Sequence, residues 1–407
     1  MPHPAAPIHG WVAPGFEAVR DEFQRNFAER GEVGAACAAY HRGEKVVDLW
    51  GGYRHPRRRE PWLEDTLVIV FSATKGLAAM TLAVAHSRGW LDYDELVCAY
   101  WPEFAQGGKE GVTVRQLLSH QAGLCALDRP LDLATLADPD ALAEVLARQV
   151  PAWEPGTRQG YHALSLGWYA GELLRRVDPT HRTLGRFFQE EIAGPLGIEF
   201  YIGLPLEVPG SRLAALKLPG PSGLFGGDDV PWGLFRAMCK PRSLTYRAFA
   251  SLKFSRENLS ALWNRRFLAV ENPAFTGVGQ VRAMVRAYSA FATANSTSGT
   301  GSLGLRAETL EALTGPLAPV GSALASGWRD KVLLEEVSFS LGYLRPCDRY
   351  PFGSSPRAFG SPGAGGSFAF ADPDAGVGFA YAPNRMGLAL LGDPREMALR
   401  EALYRCL

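Results

Sequence analysis

The sequence predicts a mixed α/β (α+β) fold, in which one β-sheet is built from both ends of the chain. Strand-like apolar segments separated by polar turns occur near both ends, whereas helical spacing of apolar residues dominates the middle. This order of elements is typical of an α+β architecture. We therefore predict an α/β domain formed by 1–75 and 335–407, and a mainly helical domain formed by 76–334.

Size and composition are those of an ordinary globular protein. The chain has 407 residues, of which 47% are hydrophobic and 21% charged. Its 42 Lys and Arg balance 42 Asp and Glu, so no net charge attracts nucleic acid or an anionic membrane. The basic run at 55–60 is typical of a solvated turn. We expect a small-molecule partner, no nucleic acid and no membrane; the oligomeric state stays open.

Cysteine usage and the N-terminal sequence favour a cytoplasmic location. The six cysteines show neither a CxxC pair nor a Cys/His ligand spacing, so we expect no metal and no cofactor. The first residues lack the pattern of a secretory signal, and no apolar run is long enough to cross a membrane. These features are typical of a cytoplasmic protein with reduced thiols.

A helix, two strands and a second helix are predicted in the N-terminal part. Apolar residues spaced by three or four predict an amphipathic helix over 16–30. Two short apolar strands, 33–41 and 45–52, follow and are joined by a polar, glycine-containing turn. A third apolar run, 67–71, leads into an Ala- and Leu-rich helix that begins at Ser72.

The middle of the chain is predicted to be helical and the C-terminal part to return to strands. Helical spacing occurs at 113–118, 142–148, 164–177, 184–192 and 278–294. A Pro- and Gly-rich stretch near 203–245 predicts a long loop inserted in the helical domain. Strands are predicted at 337–345, 366–371 and 376–382, before a final helix at 394–405.

Ser72 and Lys75 are a candidate nucleophile and base. Three residues apart on a helix, they share a face. A serine hydroxyl needs a base within hydrogen-bond reach, and lysine serves only if burial or nearby positive charge lowers its pKa. The alternative is a serine that caps a helix, followed by a surface lysine. The apolar helix around Lys75, and the position of Ser72 at a strand-to-helix junction, favour catalysis.

Four segments together resemble the serine β-lactamase and penicillin-binding-protein superfamily, in particular the class C-like carboxylesterases called family VIII. They are FSATKG with Ser72 and Lys75, VRQLLSHQAGL at 114–124, the triplet beginning at Tyr161, and FGSPGAGGSFAFADPDAGVGFAYAPN at 359–384. The resemblance spans most of the chain. It implies a β-lactamase/transpeptidase-like fold, with an antiparallel sheet flanked by helices and an inserted helical domain.

The resemblance also implies roles for single residues. Tyr161 would carry a proton between the Ser72 hydroxyl, Lys75 and the leaving group, although a tyrosine that caps the next helix is the alternative. The backbone N–H groups of Ser72 and Ala364 would bind the oxyanion of the tetrahedral intermediate. His120 resembles the histidine of a structural turn in this family, so we expect it to be structural and not a base.

The strand motif departs from the pattern of the β-lactamases. Ser361 stands where they carry a lysine that binds the substrate carboxylate, and Ala163 replaces an asparagine. Pro362 also removes a backbone donor from the strand. Gly363 and Gly365 suit close approach of backbone and substrate, or mark a β-bulge. Without the cation and the amide, esters of uncharged acids become the favoured substrates.

Trp232 and Phe235, in the Pro/Gly-rich stretch, are further candidates for substrate binding. With Leu224 and Phe225 they would either close over an acyl chain or form an apolar cap on the helical domain.

The sequence therefore predicts a serine carboxylesterase that hydrolyses short-chain or aryl esters through an acyl-Ser72 intermediate, with Lys75 and Tyr161 as general base and acid. Acyl transfer or weak β-lactamase activity on the same fold are alternatives. A non-catalytic binding or scaffold protein that retains the fold is the alternative from another class.

Overall fold

The computed structural model describes residues 7–55, 57–219, 232–253, 265–293, 303–316 and 329–407. The strands are β1 (Ile8–Val12), β2 (Gly34–His41), β3 (Glu44–His55), β4 (Glu60–Pro61), β5 (Val68–Ile69), β6 (Phe200–Ile202), β7 (Gly277–Gly279), β8 (Ser338–Ser340), β9 (Tyr343–Arg345), β10 (Phe359–Gly363), β11 (Ser367–Asp372) and β12 (Val377–Pro383).

The helices are α1 (Glu17–Glu29), α2 (Thr74–Ser87), α3 (Val97–Tyr100), α4 (Val114–Leu118), α5 (Leu133–Ala137), α6 (Pro139–Arg148), α7 (Ser165–Val177), α8 (Leu184–Phe188), α9 (Gly194–Leu196), α10 (Trp232–Met238), α11 (Leu244–Phe249), α12 (Arg265–Ala269), α13 (Val281–Ala292), α14 (Ala307–Thr314) and α15 (Pro394–Tyr404). Short 3₁₀ turns at Phe71–Ala73, Pro102–Phe104 and Gly210–Arg212, and a π-helical turn at Gln189–Ala193, complete them. None of the described helices has the length and apolar character to cross a membrane.

Both ends of the chain contribute to one antiparallel sheet. Within the described residues its strand order is β1-β3-β2-β12-β11-β10-β9-β8, with β4 paired to β3. The two ends meet where β2 pairs with β12, in a continuous register from His41 opposite Val377 to Ala35 opposite Pro383. The predicted antiparallel sheet, flanked by helices, is confirmed.

The central strands are buried on both faces because helices cover the sheet from two sides. Along β11, Phe368 and Phe370 belong to one apolar core, and Ala369 and Ala371 to the other, as the two-residue period of a strand requires. The phenylalanine face packs under α1 and α15. The alanine face lies under α2 and α13, and its small side chains let α13 approach the sheet closely.

Most predicted elements are present, with shifts of a few residues at their ends. The predicted strand 337–345 is split into β8 and β9 by a turn at Leu341 and Gly342, whose φ angles are +49° and +88°. The edge strand β1 escaped prediction because its side chains are mostly exposed, so it carries no apolar alternation. The region predicted to be helical also contains β6 and β7, which form a small separate sheet with β5, in the order β5-β7-β6.

The prediction of one long loop near 203–245 is wrong for its described C-terminal part. Helices α10 and α11 occupy much of 232–249. Proline and glycine are concentrated before Trp232, and the following segment carries enough helix-forming residues to fold locally. The part of this stretch that carries Leu224 and Phe225 lies outside the described residues.

Candidate active site

Ser72 lies in the tight 3₁₀ turn between β5 and α2. The preceding residue, Phe71, has a φ of +49°. Residues other than glycine rarely adopt this backbone conformation, so surrounding contacts must stabilise it. The amide of Val70 donates to the carbonyl of Gly277 at 3.0 Å. The Thr74 hydroxyl donates to the carbonyl of Phe71 at 2.5 Å and accepts from the amide of Gly277 at 2.9 Å. Strand β7 therefore fixes the turn that presents the Ser72 hydroxyl.

Lys75 is surrounded by three oxygen atoms. Its Nζ lies 3.1 Å from the Oγ of Ser72, 2.6 Å from the carbonyl oxygen of Ala163 and 2.9 Å from that of Ala274. Burial lowers the pKa of this lysine well below its ordinary value. The two carbonyl oxygens only accept, so they take two N–H groups, and the neutral amine keeps its lone pair for the Ser72 hydroxyl. This arrangement suits a base that removes the Ser72 proton.

A second buried lysine shows the contrast. The Nζ of Lys109 donates to three carbonyl oxygens, those of Gln106, Ala147 and Gln149, at 2.7 to 2.8 Å. Burial lowers its pKa to about 8, so it stays mainly charged at neutral pH. All three N–H groups of the ammonium are used, and no hydroxyl lies among its partners. Lys109 therefore has a structural contact pattern, whereas Lys75 has the pattern of a base.

Tyr161 lies against the same lysine. The Nζ of Lys75 is 4.8 Å from the centroid of its ring. Burial raises the pKa of Tyr161 above its ordinary value, and a hydrogen bond with the Ser72 side chain opposes this rise. The amide of Tyr161 donates to Oδ1 of Asp330 at 3.0 Å, and its ring stacks on Phe339. The tyrosine does not cap the next helix, because the N-cap position of α7 belongs to Leu164.

Strand β10 runs directly beside the nucleophile turn. A Cβ atom on Gly363 would lie 2.1 Å from the carbonyl oxygen of Val70 and 3.0 Å from the amide nitrogen of Ala73, so only glycine fits here. The hydroxyl of the buried Ser361 donates to the carbonyl oxygen of Ser72 at 2.8 Å. Ser361, which stands where the β-lactamases carry a lysine, therefore connects β10 to the backbone of the candidate nucleophile.

A tight turn follows this strand. The amide of Gly366 donates to the carbonyl of Gly363 at 3.2 Å, and Gly365 has a φ of +90°, which is typical of the third residue of a type II turn. Ala364 is the second residue of this turn and lines a cavity together with Ser72. Its backbone is therefore positioned beside the candidate nucleophile.

A buried cluster of charged side chains binds the same turn through the carbonyl oxygen of Gly365. The Arg395 guanidinium donates to the carbonyl oxygen of Gly365 at 2.9 Å and, through two nitrogens, to the carboxylate of Asp393 at 2.8 and 2.9 Å. It also lies 3.3 Å from the carboxylate of Glu32. Burial raises the pKa of Glu32, and the charge of Arg395 opposes that rise. The amide of Gly387 donates to Gly365 as well, at 3.0 Å.

The cavity in front of Ser72 is a small chamber of about 40 Å³. Lys75 and Tyr161 line it together with Ser361, Pro362 and Ala364. Most other side chains in its wall are apolar: Phe249, Leu333, Phe339, Leu344, Leu390 and Leu391. Among the residues that the structure describes, no three His, Cys, Asp or Glu side chains are grouped so as to hold a metal ion.

His120 also lines the chamber, but it cannot accept the Ser72 proton in this arrangement. Its Nδ1 accepts a hydrogen bond from the amide of His162 at 3.0 Å, so the neutral ring carries its proton on Nε2. Burial lowers the pKa of His120 well below its ordinary value. These contacts support the structural role expected from the sequence.

Two predicted substrate-binding residues lie elsewhere in the described structure. Trp232 and Phe235 stack on each other in α10, with ring centroids 5.6 Å apart. The Trp232 side chain is exposed, and neither ring lines the chamber at Ser72. Their proposed role in substrate binding therefore has no geometric support in the described residues.

Sequence reasoning missed three residues that support the site. Ala274 supplies a carbonyl to Lys75, Asp330 binds the amide of Tyr161, and Arg395 binds the turn after Gly363. Each makes a hydrogen bond that involves a backbone atom and joins two residues far apart in the sequence. No local motif marks such residues, so only the folded arrangement identifies them.

Residues 19–404 match the family model described as Beta-lactamase. The chain belongs to the beta-lactamase family. The chain is also similar to the Esterase/beta-lactamase LipL of Mycobacterium tuberculosis, which is 33% identical over 364 residues, covering 88% of this chain and 79% of the relative. The predicted family is thereby confirmed.

Two solved structures support the assignment of the fold. One is a family VIII carboxylesterase, with a TM-score of 0.84 and 37% identity over 98% of this chain and 100% of that one. The other is a penicillin-binding protein homolog from Caulobacter crescentus, with a TM-score of 0.82 and 38% identity over the same shares of both chains. The predicted β-lactamase/transpeptidase-like fold is confirmed.

Proposed function

We propose that this protein is a serine carboxylesterase that hydrolyses short-chain or aryl esters through an acyl-Ser72 intermediate. The observation that carries the proposal is the environment of Lys75. Two backbone carbonyls occupy two of its N–H groups, and its remaining position faces the Ser72 hydroxyl at 3.1 Å. Burial favours the uncharged amine, which is the form that accepts a proton.

In the proposed acylation step, the Ser72 oxygen attacks the ester carbonyl carbon while its proton passes to Lys75. The N–H groups of Ser72 and Ala364 stabilise the oxyanion of the tetrahedral intermediate. As the bond to the alcohol oxygen breaks, Tyr161 gives its hydroxyl proton to that oxygen and receives a proton from Lys75. The raised pKa of Tyr161 keeps its hydroxyl protonated, as this role requires.

Deacylation would use the same groups in the reverse order. A water molecule enters where the alcohol left, and Tyr161, with Lys75 behind it, takes up a proton as the water oxygen attacks the acyl carbon. The bond to the Ser72 oxygen then breaks, and that oxygen recovers its proton from Lys75. The enzyme returns to its starting protonation state, and the products are an alcohol and a carboxylic acid.

The walls of the chamber favour esters over substrates that carry a carboxylate. Among the described residues that line it, Lys75 is the only Lys or Arg, and its Nζ is already engaged with three oxygens. Ser361 directs its hydroxyl to the Ser72 backbone and brings no charge. A neutral ester needs no counter-ion. The names of two similar proteins, an esterase/beta-lactamase and a family VIII carboxylesterase, support the same substrate class.

Hydrolysis of p-nitrophenyl butyrate tests the proposal. We expect turnover by the unmodified protein and its loss in Ser72→Ala, while Ser211→Ala, which changes an exposed serine in a 3₁₀ turn, keeps full activity. A fluorophosphonate should add its mass to Ser72 and not to Ser211. An active Ser72→Ala variant would contradict the nucleophile, and an unlabelled, inactive wild-type protein would favour the scaffold alternative.

Weak β-lactamase activity is a second candidate, because the similar protein LipL is named an esterase/beta-lactamase. Turnover of a chromogenic cephalosporin measures it directly. We expect a kcat/KM far below that for p-nitrophenyl butyrate, since no free cation lies in the described walls of the chamber. Comparable values for the two substrates would contradict the ester preference. Product ratios in the presence of an added alcohol would separate hydrolysis from acyl transfer.

A further inference from the structure

The backbone around Tyr161 is held by residues from other parts of the chain. The segment between α6 and α7 that carries Tyr161 forms neither helix nor strand. On one side, the carbonyl oxygen of His120 accepts a hydrogen bond from the amide of Gly160 at 3.0 Å. On the other, its Nδ1 accepts from the amide of His162 at 3.0 Å. The amide between them, that of Tyr161, donates to Oδ1 of Asp330 at 3.0 Å. Asp330 therefore supplies the contact at the tyrosine itself.

The same carboxylate oxygen also binds a segment in the wall of the chamber. Oδ1 of Asp330 accepts hydrogen bonds from the amides of Val332 and Leu333, both at 2.8 Å. Leu333 lines the chamber, whereas Asp330 does not. The other carboxylate oxygen has a weaker contact, with Nε2 of Gln159 at 3.5 Å. A single oxygen atom therefore joins the tyrosine segment to the chamber wall, without facing the substrate.

Asp330 is a buried carboxylate without an ion pair in the part of the chain that the structure describes. Burial raises the pKa of its carboxyl, and hydrogen bonds from backbone amides and the Gln159 side chain oppose that rise. Burying such a group is unfavourable unless hydrogen bonds satisfy it. Burial, and to a smaller extent the charge of Asp330, also raises the pKa of Tyr161. The tyrosine thus depends on Asp330 mainly for its position, and partly for keeping its proton.

The position of the Tyr161 hydroxyl should matter most for esters of ordinary alcohols. In the proposed mechanism Tyr161 protonates the leaving oxygen. An alkoxide is a strong base and needs this proton as its bond to carbon breaks, whereas 4-nitrophenolate is a stable anion that can leave without one. A displaced tyrosine should therefore slow the cleavage of alkyl esters more than that of p-nitrophenyl esters.

We propose that Asp330 is a positioning residue that holds Tyr161 where its hydroxyl can protonate the leaving oxygen. Asp330 thereby determines whether the enzyme cleaves alkyl esters efficiently or only activated aryl esters. This inference rests on the proposed esterase function. Asp330 itself transfers no proton, because it acts through the backbone amide of Tyr161 and lies outside the chamber.

The ratio of kcat/KM for ethyl butyrate to that for p-nitrophenyl butyrate tests this role. Both esters form the same acyl-enzyme, and a smaller fraction of folded protein lowers both values equally, so the ratio reports the leaving-group step alone. We expect Asp330→Ala to lower the ratio about tenfold, because a small displacement of a reacting group is costly. Asp330→Asn should recover most of the loss, since its amide oxygen can accept the same three hydrogen bonds. Tyr161→Phe should lower the ratio about 10²-fold or more.

Asp372→Ala is the matched control. Asp372 is also buried, and it accepts hydrogen bonds from the amide of Ser354 and the hydroxyl of Tyr404, both at 2.6 Å. None of these three residues lines the chamber. This variant should keep the wild-type ratio. In a Tyr161→Phe background, Asp330→Ala should not lower the ratio further, because the group that it positions is already absent.

The possible results separate this inference from the proposed function. An unchanged ratio in Asp330→Ala would overturn the inference, and so would a further fall in the Tyr161→Phe background. A ratio as low in Asp330→Asn as in Asp330→Ala would contradict positioning through the amide hydrogen bonds. Wild-type protein that hydrolyses neither ester, or an unchanged ratio in Tyr161→Phe, would contradict the proposed function itself.

Discussion

Lys75 occupies an environment that opposes its own charge. In the unfolded chain a lysine is charged at neutral pH, whereas burial in the folded protein lowers its pKa well below the ordinary value. The folded state therefore binds fewer protons than the unfolded state between these two pKa values. Stability is reduced throughout this range and increases as the pH rises toward the unfolded pKa. Keeping Lys75 available as an uncharged base therefore lowers the stability of the folded protein.

Replacing this lysine should separate activity from stability. We expect Lys75→Met to lower kcat/KM for p-nitrophenyl butyrate by about 10²- to 10⁴-fold, the usual contribution of a general base. The same variant should melt at a higher temperature than the wild type at pH 7, because the cost of keeping the amine uncharged is removed. Ester hydrolysis and thermal unfolding measure the two effects. A lower melting temperature would contradict the view that burial of Lys75 is unfavourable.

The pH dependence of the reaction should follow the same group. Lys75 accepts a proton only when it is uncharged, so kcat/KM should be high above its pKa and fall as the pH drops through it. Because burial lowers the pKa of Lys75, this fall in kcat/KM should occur at a pH well below the ordinary pKa of lysine. Tyr161 should add no fall near neutral pH, since burial raises its pKa. A pH–rate profile on p-nitrophenyl butyrate checks both statements, and a rate that increases on acidification would contradict them.

Ser361 connects strand β10 to the backbone of the candidate nucleophile. We expect Ser361→Ala to lower kcat about tenfold, because the buried carbonyl of Ser72 would lose its donor and the turn would be held less firmly. Ser361→Thr retains a hydroxyl and should recover most of the loss. Steady-state kinetics on one ester compares the variants. Equal activity in all three proteins would show that this hydrogen bond does not position Ser72.

At the scale of elements, the small sheet of β5, β7 and β6 organises the nucleophile. Strand β5 leads into the turn with Ser72, and the loop before β7 supplies the Ala274 carbonyl to Lys75. Within that loop, the side chain of Asn272 accepts a hydrogen bond from the Ala274 amide at 3.2 Å. Two elements distant in sequence therefore set the position of the serine and of its base.

The type II turn after β10 should position the Ala364 amide that binds the oxyanion in the proposed mechanism. Gly365→Ala would force a side chain into a φ of +90°, with its Cβ 3.1 to 3.3 Å from Met386. We expect a loss of about 1 kcal/mol in the free energy of unfolding, and a fall in kcat of about 10²-fold as the Ala364 amide is displaced. Gly43→Ala is the control, because Gly43 has a φ of +86° with open space around it, in the hairpin between β2 and β3. Similar losses of activity in both variants would contradict a role of the turn in catalysis.

Sequence patterns predicted the elements that have a strong local apolar signal. In α1 and α7 this signal is one apolar face, whereas α2 and the central strands are apolar on nearly every side. Their predicted limits lie within a few residues of the observed ones, although α2 extends further than predicted. Strand β7, with the sequence Gly-Val-Gly, has no such signal, since it exists through its pairing with β5 and β6. The contacts of Ala274 and Arg395 depend likewise on tertiary structure. Local patterns do not encode them.

At the scale of the molecule, the fit of α13 against the sheet joins the middle of the chain to its two ends. A Cβ atom on Gly378, in β12, would lie 2.9 Å from the amide nitrogen of Ser289 in α13. We expect Gly378→Val to lower the free energy of unfolding by about 1–3 kcal/mol, because the helix must move away from the sheet. A shift in the midpoint of urea unfolding measures this loss.

The control for that variant is Gly111→Val. Gly111 has an ordinary φ and no atom within 4 Å of the position of a Cβ, so the same substitution meets no obstacle. Its urea midpoint should stay near that of the wild type. Equal midpoints for both variants would contradict the importance of the close approach between α13 and β12.

The pairing of β2 with β12 also has a consequence during protein synthesis. When a ribosome has translated this chain as far as 358, Ser72, Lys75 and Tyr161 have been made, but β10, the turn with Ala364 and strand β12, which pairs with β2, have not. The nucleophile and its base therefore exist before the backbone that completes their site. A chain released early would carry the reactive residues without a finished sheet to hold them. The proposed esterase activity would accordingly report that translation has continued through β12.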